Sequence, residues 1–414
     1  MDSEKIYFYS KDQQDRKIFK NIINILRSIF LPEGFPQSVS KDYIPYQLWD
    51  TLQAFSSTIT GALSTHAILA GVGVGNETAT PLSATITWIL KEGTGHIGRI
   101  LFAWWKGSDL DINSKRWRLV ADILNDVAMG IEVLVLPLYV TWSTEILCFT
   151  TAIKSIVGVA GGATRVALTQ HHALRGNLAD VSAKDGSQET FVNLCASVVA
   201  LLILLTITNK IVAFFWFAVF TMLHLYANYN AVKSIRLKVL NTSRLLAVYE
   251  NYIANENVPT VDCVNFHEPL FRVMPKDFQI CGHHIKIGKS LKKIIANNLH
   301  HLKQSKIIYK NEQFIINVYN DSVYISLSKE HSDEVVLQAY FHALIVGIMT
   351  SSDRINRTLA QNLLVNCGID ITLTHAEIFE QSKLAWKRLR KALDQKGWST
   401  NQHLLPIGEC RMIW

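Results

Sequence analysis

Charge is scarce in this chain: Asp, Glu, Lys and Arg together make up 18% of its 414 residues. Soluble domains carry about a quarter, so the deficit leans away from an ordinary water-soluble fold. Cysteine is sparse as well. Cys148, Cys195, Cys263, Cys281, Cys367 and Cys410 are scattered without a CxxC pair, which argues against a disulfide framework and fits a reducing compartment. GxSxG, HExxH, a Walker loop and paired-carboxylate signatures are missing, so enzymatic activity is not expected. There is no internal repeat or low-complexity tract. The net charge of +7 is modest for this length and suits anionic lipid better than nucleic acid. The first thirty residues hold Asp2, Glu4, Asp12 and Asp15 and no long apolar core, so neither a secretory signal nor an acid-poor transit peptide is expected there.

What is abundant is apolar surface, at 49% of residues. Arg16 to Phe30 repeats Ile18, Phe19, Ile22, Ile23, Leu26 and Phe30 at helical spacing, the pattern of an amphipathic helix. Thr190 to Thr208 is free of charge, and after Asn209-Lys210 comes Ile211 to Val232, also without a formal charge. A bilayer-spanning helix needs about 20 mostly apolar residues, so these two runs predict a tight membrane hairpin. Lys233, Arg236, Lys238 and Arg244 follow at once, and the positive-inside tendency places that end in the cytosol. Weaker spanning segments are Phe55 to Gly75, Val127 to Leu147 with Pro137 as a kink, and Phe149 to Leu168. Thr78 to Leu90 is short and Thr-rich, which suits a strand or a re-entrant piece.

Beyond about Tyr249 the composition turns polar. Lys306–Tyr309, Gln313–Tyr319 and Ser322–Ser328 read as strands, with turns at Asn311-Glu312 and Asn320-Asp321. Asp333–Ile348 and Thr374–Lys391 read as helices, the second ending before Gly397. The expected fold is mainly α: an amphipathic segment over 1–31, a multi-helix membrane-embedded core over 32–244, and a small α+β soluble domain over 245–414.

Three patterns bear on chemistry. Gly93-x-Gly95-x-x-Gly98 matches the dinucleotide fingerprint, but no acid stands about 20 residues on; close helix packing is the preferred reading, and no cofactor is implied. Adjacent histidines (His171-His172, His283-His284, His300-His301) lack the spacing of a zinc site and cannot share a helix face, so no metal is expected. The third pattern is a set of charges in apolar surroundings. Asp122, Asn125, Asp126 and Glu132 lie on neighbouring faces of one helix. Lys154 and Arg165, about three turns apart, share a face with Gly158 and Gly161. Gly158-x-x-x-Gly162 has GxxxG spacing, so an acidic helix is expected to meet a basic one along this glycine seam. A charge at the bilayer centre costs about 2.5–3.5 kcal/mol on insertion scales, so Asp122, Asp126, Glu132, Lys154 and Arg165 form either a substrate or ion path or a structural ion-pair network. Thr169 to Glu189 reads as a polar loop against headgroups or a partner, with Asp185 capping the next helix.

Long runs between Pro32 and Thr190 resemble the root-UVB-sensitive family. They are PEGFPQSVSKDYIPYQLWDTLQA from Pro32, GVGVGNETA from Gly71, WILKEGTGHIGRILFAWWKGSDLD from Trp88, KRWRLVADILNDVA from Lys115, KSIVGVAGGATRVALTQHHA from Lys154 and DVSAKDGSQET from Asp180. The resemblance implies a membrane-associated eukaryotic protein without an established catalytic activity or active site. Its plant members are linked to UV-B responses, seedling development and vitamin B6 homeostasis, and members associate through the shared core. The expectation is an integral, multi-pass protein of an intracellular membrane that moves or senses a small anionic metabolite. The Lys154/Arg165 face attracts the anion, and Asp126 or Glu132 couples or gates; a vitamin B6 vitamer is suggested by the family association alone. The alternative is a scaffold assembling with another copy or another family member, and a third reading puts a cofactor phosphate on the Gly93–Gly98 loop.

Overall fold

The computed structural model describes residues 11–71, 81–271, 281–290, 302–350, 364, 368–370 and 374–414. Residues 72–79 of the family-like run, His300-His301 and Cys367 lie outside the described residues. The chain packs into two compact units, which divide after Ile235, with Asp111–Asn113 joining the second. The sequence places its division nine residues later, after Arg244.

The first unit is helical. It comprises α1 (Lys11–Phe30), α2 (Tyr43–Gly71), α3 (Pro81–Ile112), α4 (Ser114–Leu134), α5 (Ser143–His172), α6 (Leu178–Thr206) and α7 (Lys210–Ser234). Punctuation accounts for the joints. Asn209 caps α7, its side chain accepting from the backbone N–H of Ile211 and Val212 at 3.0 and 3.1 Å, which makes the expected hairpin joint short. Gly176 supplies a positive φ of 66° between α5 and α6. Pro81 opens α3, where its missing N–H is harmless.

Three expectations change here. The Val127 to Leu147 run is not one span: α4 stops at Leu134, and α5 begins at Ser143 after a short 3-10 turn over Val140–Trp142. Pro137 has no N–H to give and obstructs the preceding turn, so it ends the helix rather than kinking it. The described part of Thr78 to Leu90 is helix, the first turns of α3, not a strand or re-entrant piece. Most of the polar stretch before Thr190 is also helix, so Asp185 sits inside α6 instead of capping it. Its charges find partners on α5, which removes the need for a loop.

α2 is the hub, packed against α4, α6 and α7, while α4 also packs along α5. Polar residues point inward: Gln47, Gln53, Ser56, Thr60, Ser64, Asp126, Glu132, His224 and Asn228 are all buried. Large apolar side chains point outward, among them Leu194, Val198, Leu201 and Leu205 on α6, Ile211, Phe215 and Met222 on α7, and Trp104 and Trp105 on α3. This inverts the arrangement of a water-soluble bundle, in which large apolar patches are kept small. Among the described residues three helical stretches are long and apolar enough to cross a membrane: Val140–His172, Leu178–Thr206 and Lys210–Ser234.

The second unit is α+β. Its elements are β1 (Val239–Asn241), α8 (Thr242–Asn255), α9 (Val261–His267), β2 (His284–Ile287), β3 (Phe314–Tyr319), β4 (Ser322–Ser328), α10 (Asp333–Thr350), α11 (His375–Gln395), β5 (Ser399–Leu404) and β6 (Arg411–Met412). β4 is the centre of one sheet, antiparallel to β3 and parallel to β2 and β6, while β1 pairs with β5. The β3–β4 hairpin turns at Asn320-Asp321, with Asn320 at φ 49°. Lys306–Tyr309 is not a strand: the chain is helical up to Ile308 and then turns. α11 carries a complete capping box, Thr374 with Glu377, and Gly397 follows its end at φ 84°. The apolar α10 lies buried against the sheet. Arg244, counted among the cations that follow the second apolar run, is buried 3.5 Å from Glu268.

A buried charge network in the helical unit

Because α2, α4 and α7 meet along polar faces, their ionisable groups form a continuous chain. Tyr46 donates to Asp50 Oδ1 at 3.3 Å, and Arg118 Nη2 reaches the same oxygen at 3.0 Å. One turn along α4, Asp122 lies 4.0 Å from Arg118 and accepts from Gln53 Nε2 at 3.2 Å. That amide nitrogen also lies 2.8 Å from His224 Nε2. An amide nitrogen can only donate, so His224 Nε2 accepts and its ring proton sits on Nδ1. Nδ1 then donates to Asp126 Oδ2 at 2.7 Å. The second oxygen of Asp126 is buried and has no hydrogen-bond partner among the described residues.

Two further pairs flank this chain. Glu132, fully buried, receives Lys154 Nζ at 2.5 Å and the Ser64 hydroxyl on the same Oε2; its Oε1 has no hydrogen-bond partner among the described residues. Arg165 grips Asp185 through Nε and Nη2 at 2.9 and 2.6 Å and reaches Glu189 at 2.6 Å. Gln47 donates to the other oxygen of Asp185 at 2.9 Å. Between Asp50 and the Arg165–Asp185 pair lies a small cavity. Tyr43, Tyr46, His172 and Thr169 complete its wall.

The sequence-selected charges thus separate. Glu132 and Lys154 meet across α4 and α5, whereas Arg165 turns to α6 and Asp122 and Asp126 face α2 and α7. The glycine seam between α4 and α5 does not form: a Cβ added at Gly158, Gly161 or Gly162 meets no atom within 4 Å. Close packing occurs instead at Gly95 and Gly98 of α3. A Cβ at Gly95 lies 3.1 Å from Thr151 on α5, and one at Gly98 overlaps the Ser155 hydroxyl. Gly93, Gly95 and Gly98 therefore lie inside a helix whose backbone N–H groups are already engaged, not in a phosphate-cradling loop.

Sequence reasoning missed Asp50, Gln53, Arg118 and above all His224, and it took Asp185 for a helix cap rather than the partner of Arg165. A histidine inside an otherwise charge-free spanning run was the available signal. It also dismissed His171-His172. At the last turn of α5 these rings lie 5.1 Å apart and Asp42 approaches from the start of α2, its Oδ2 2.9 Å from His171 Nε2. Adjacency along a helix does not keep two imidazoles apart when a third group reaches in from another segment.

Comparison with known proteins gives the chain its family. A family model described as the vitamin B6 photo-protection and homoeostasis domain matches residues 16–256, and one described as the root UVB sensitive protein C-terminal domain matches residues 257–414. RUS family member 1 of Dictyostelium discoideum is 45% identical over 70% of this chain and 54% of its own length. The chain therefore spans about half of that relative. Protein root UVB sensitive 3 of Arabidopsis thaliana is 36% identical over 81% of this chain and 78% of its own. Protein root UVB sensitive 2, chloroplastic, of the same plant is 27% identical over 96% of this chain and 87% of its own. No solved structure matches. With both family models matched in order and a bundle that carries its charges inside and its apolar side chains outside, this chain belongs to the root UVB sensitive family.

Proposed function

We propose that the protein is a non-catalytic, multi-pass protein of an intracellular membrane that moves or senses a small anionic metabolite, with its second unit in the cytosol. The observation that carries this reading is the buried chain from Asp50 through Arg118, Asp122, Gln53 and His224 to Asp126, enclosed by outward apolar faces. Ionisable groups inside spanning helices commonly line substrate, ion or proton paths. Arg165 lines the small cavity and becomes an anion-attracting group where a substrate displaces Asp185 or Glu189 from it. Asp126 and Glu132, each with one buried oxygen that has no hydrogen-bond partner among the described residues, are the groups that couple or gate the path. The family model's description points to a vitamin B6 compound as the metabolite class to try first.

Uptake of pyridoxal phosphate and pyridoxine into proteoliposomes tests this. Wild-type protein is expected to accumulate or bind the compound. Arg165→Ala is expected to lose that activity at unchanged insertion and abundance. A variant that loses only abundance, or wild-type protein without uptake or binding, makes the network structural.

A scaffold is the second reading, and the open faces of Gly158, Gly161 and Gly162 on α5 favour it. Small residues let another helix approach closely in a membrane, so a second copy or another family member can seat there. Gly158→Leu dissociating an oligomer in detergent, with uptake absent throughout, selects this reading.

A further inference from the structure

Asp42, His171 and His172 come from two segments that are locked together. Val39 bridges to Ala173 in antiparallel fashion, and Ser40 N donates to the His172 carbonyl at 3.1 Å. This fixes the start of α2 against the end of α5. One carboxylate oxygen of Asp42 and one ring nitrogen of each histidine then lie within 4.8 Å of one another. Asp42 and His172 are buried, and His171 is partly open to solvent.

The imidazole of His172 is held as a ligating imidazole is. Its Nδ1 lies 2.6 Å from the Ser40 hydroxyl, the outer contact that fixes the orientation of a metal-bound ring. Its Nε2 is buried and has no hydrogen-bond partner among the described residues, although the residue is 2% exposed. A purely structural histidine in such a place would have that nitrogen satisfied. Tyr43 and Tyr46 pack on the ring and restrict its rotation.

We infer that Asp42, His171 and His172 form a binding site for one divalent transition-metal ion of the zinc type. Two imidazoles and a carboxylate match zinc's preference for nitrogen and oxygen ligands, and bonds of about 2.0–2.2 Å put tetrahedral ligands roughly 3.4 Å apart. Asp42 and His171, at 2.9 Å, need only part to admit the ion. The ion takes the place of the hydrogen bond between them: His171 binds it through a ring-nitrogen lone pair as neutral imidazole, with its proton kept on the other ring nitrogen, and Asp42 binds it as the carboxylate. The open side of His171 leaves the fourth position to water or to an oxygen ligand. This assignment stands independently of the transport reading.

The test uses the full chain in detergent, stripped with chelator and titrated with Co²⁺ and then Zn²⁺. One Co²⁺ per chain is expected, with visible d–d bands that Zn²⁺ abolishes. His171→Ala and Asp42→Asn should each weaken binding beyond the roughly 10–100-fold loss of an outer-contact change, while eluting as the wild type does. His172 packs against Tyr43 and Tyr46, so His171, which is partly open, and the near-isosteric change at Asp42 carry the test. Cys263 Sγ lies 3.9 Å from His267 Nδ1, and Cys263→Ser controls for this exposed pair by leaving the bands unchanged. The inference is overturned if stripped wild-type protein binds no stoichiometric Co²⁺. It is also overturned if His171→Ala and Asp42→Asn bind as the wild type does, or if Cys263→Ser alone removes the ion.

Discussion

At the scale of single residues, the glycines divide by what stands over them. Gly98 has the Ser155 hydroxyl where a Cβ would go, and Gly158 has open space. Gly98→Val is therefore expected to cost about 1–3 kcal/mol by overpacking, and Gly158→Ala is expected to be neutral or stabilising through helix propensity. Thermal melts in detergent check both; equal losses would show that α3 does not rest on α5 through Gly98. The ion pair of Glu132 and Lys154 behaves differently. Removing Lys154 alone strands a fully buried carboxylate, a loss of about 3–5 kcal/mol for a buried pair broken on one side. Lys154→Gln combined with Glu132→Gln should recover most of it, because two neutral amides need no counter-charge. If the double variant is no more stable than Lys154→Gln, the two residues are not coupled.

At the scale of elements, the second unit carries a pH-sensitive contact between α10 and α11. Tyr309, on the turn before β3, places its hydroxyl 2.8 Å from His342 Nε2 and 3.0 Å from His375 Nε2, while Ser382 lies 2.9 Å from His342 Nδ1. Burial pushes the His342 pKa well below the usual histidine value, and the neighbouring His375 and Lys383 push the same way. Burial likewise lowers His375. A histidine depressed in the folded state binds its proton more readily once unfolded. Its stabilisation is therefore complete above about pH 6.5 and is lost as the pH falls below that value. For His342 the slope is about 1.4 kcal/mol per pH unit. Amide exchange across α10, corrected for intrinsic rate, should show protection falling between pH 7 and pH 5.5, and His342→Gln should flatten that fall. A flat wild-type profile would contradict the assignment.

Elements also show what could be read before the structure. The two apolar helices α6 and α7 and their short joint were legible because long charge-free runs have few other outcomes; that both pack on α2 rather than tightly on each other was not. The β3–β4 hairpin was legible from alternation broken by Asn320-Asp321. That an acidic helix meets a basic one was legible from helical spacing on two adjoining runs; that Glu132 takes Lys154, and does so without the glycine seam, was not. Arg165 was misassigned, because the partner-bearing start of α6 reads as loop when its charges are counted without their mates. The Asp42 approach to His171 joins residues more than a hundred apart in sequence, and local spacing carries no record of such a contact. Lys306–Tyr309 failed for the usual reason at short length: a four-residue apolar run suits a helix end as well as a strand.

At the scale of the whole molecule, the central claim is that the helical unit is solvated by lipid. Its outward face is apolar on α3, α6 and α7, and its interior holds Asp, Glu, Arg, Lys and His in ion pairs. Water as the surrounding solvent would leave Leu205, Ile211, Met222 and Trp104 exposed at a large and unexplained cost. Lipid removes that cost and makes the pairing of the inner charges obligatory. The most direct measurement is carbonate extraction of membranes that carry the protein with a C-terminal tag, followed by protease treatment of the sealed membranes. If lipid surrounds the helical unit, the protein stays in the membrane pellet and the tag is digested from the cytosolic side. Release of intact protein into the carbonate supernatant would contradict it.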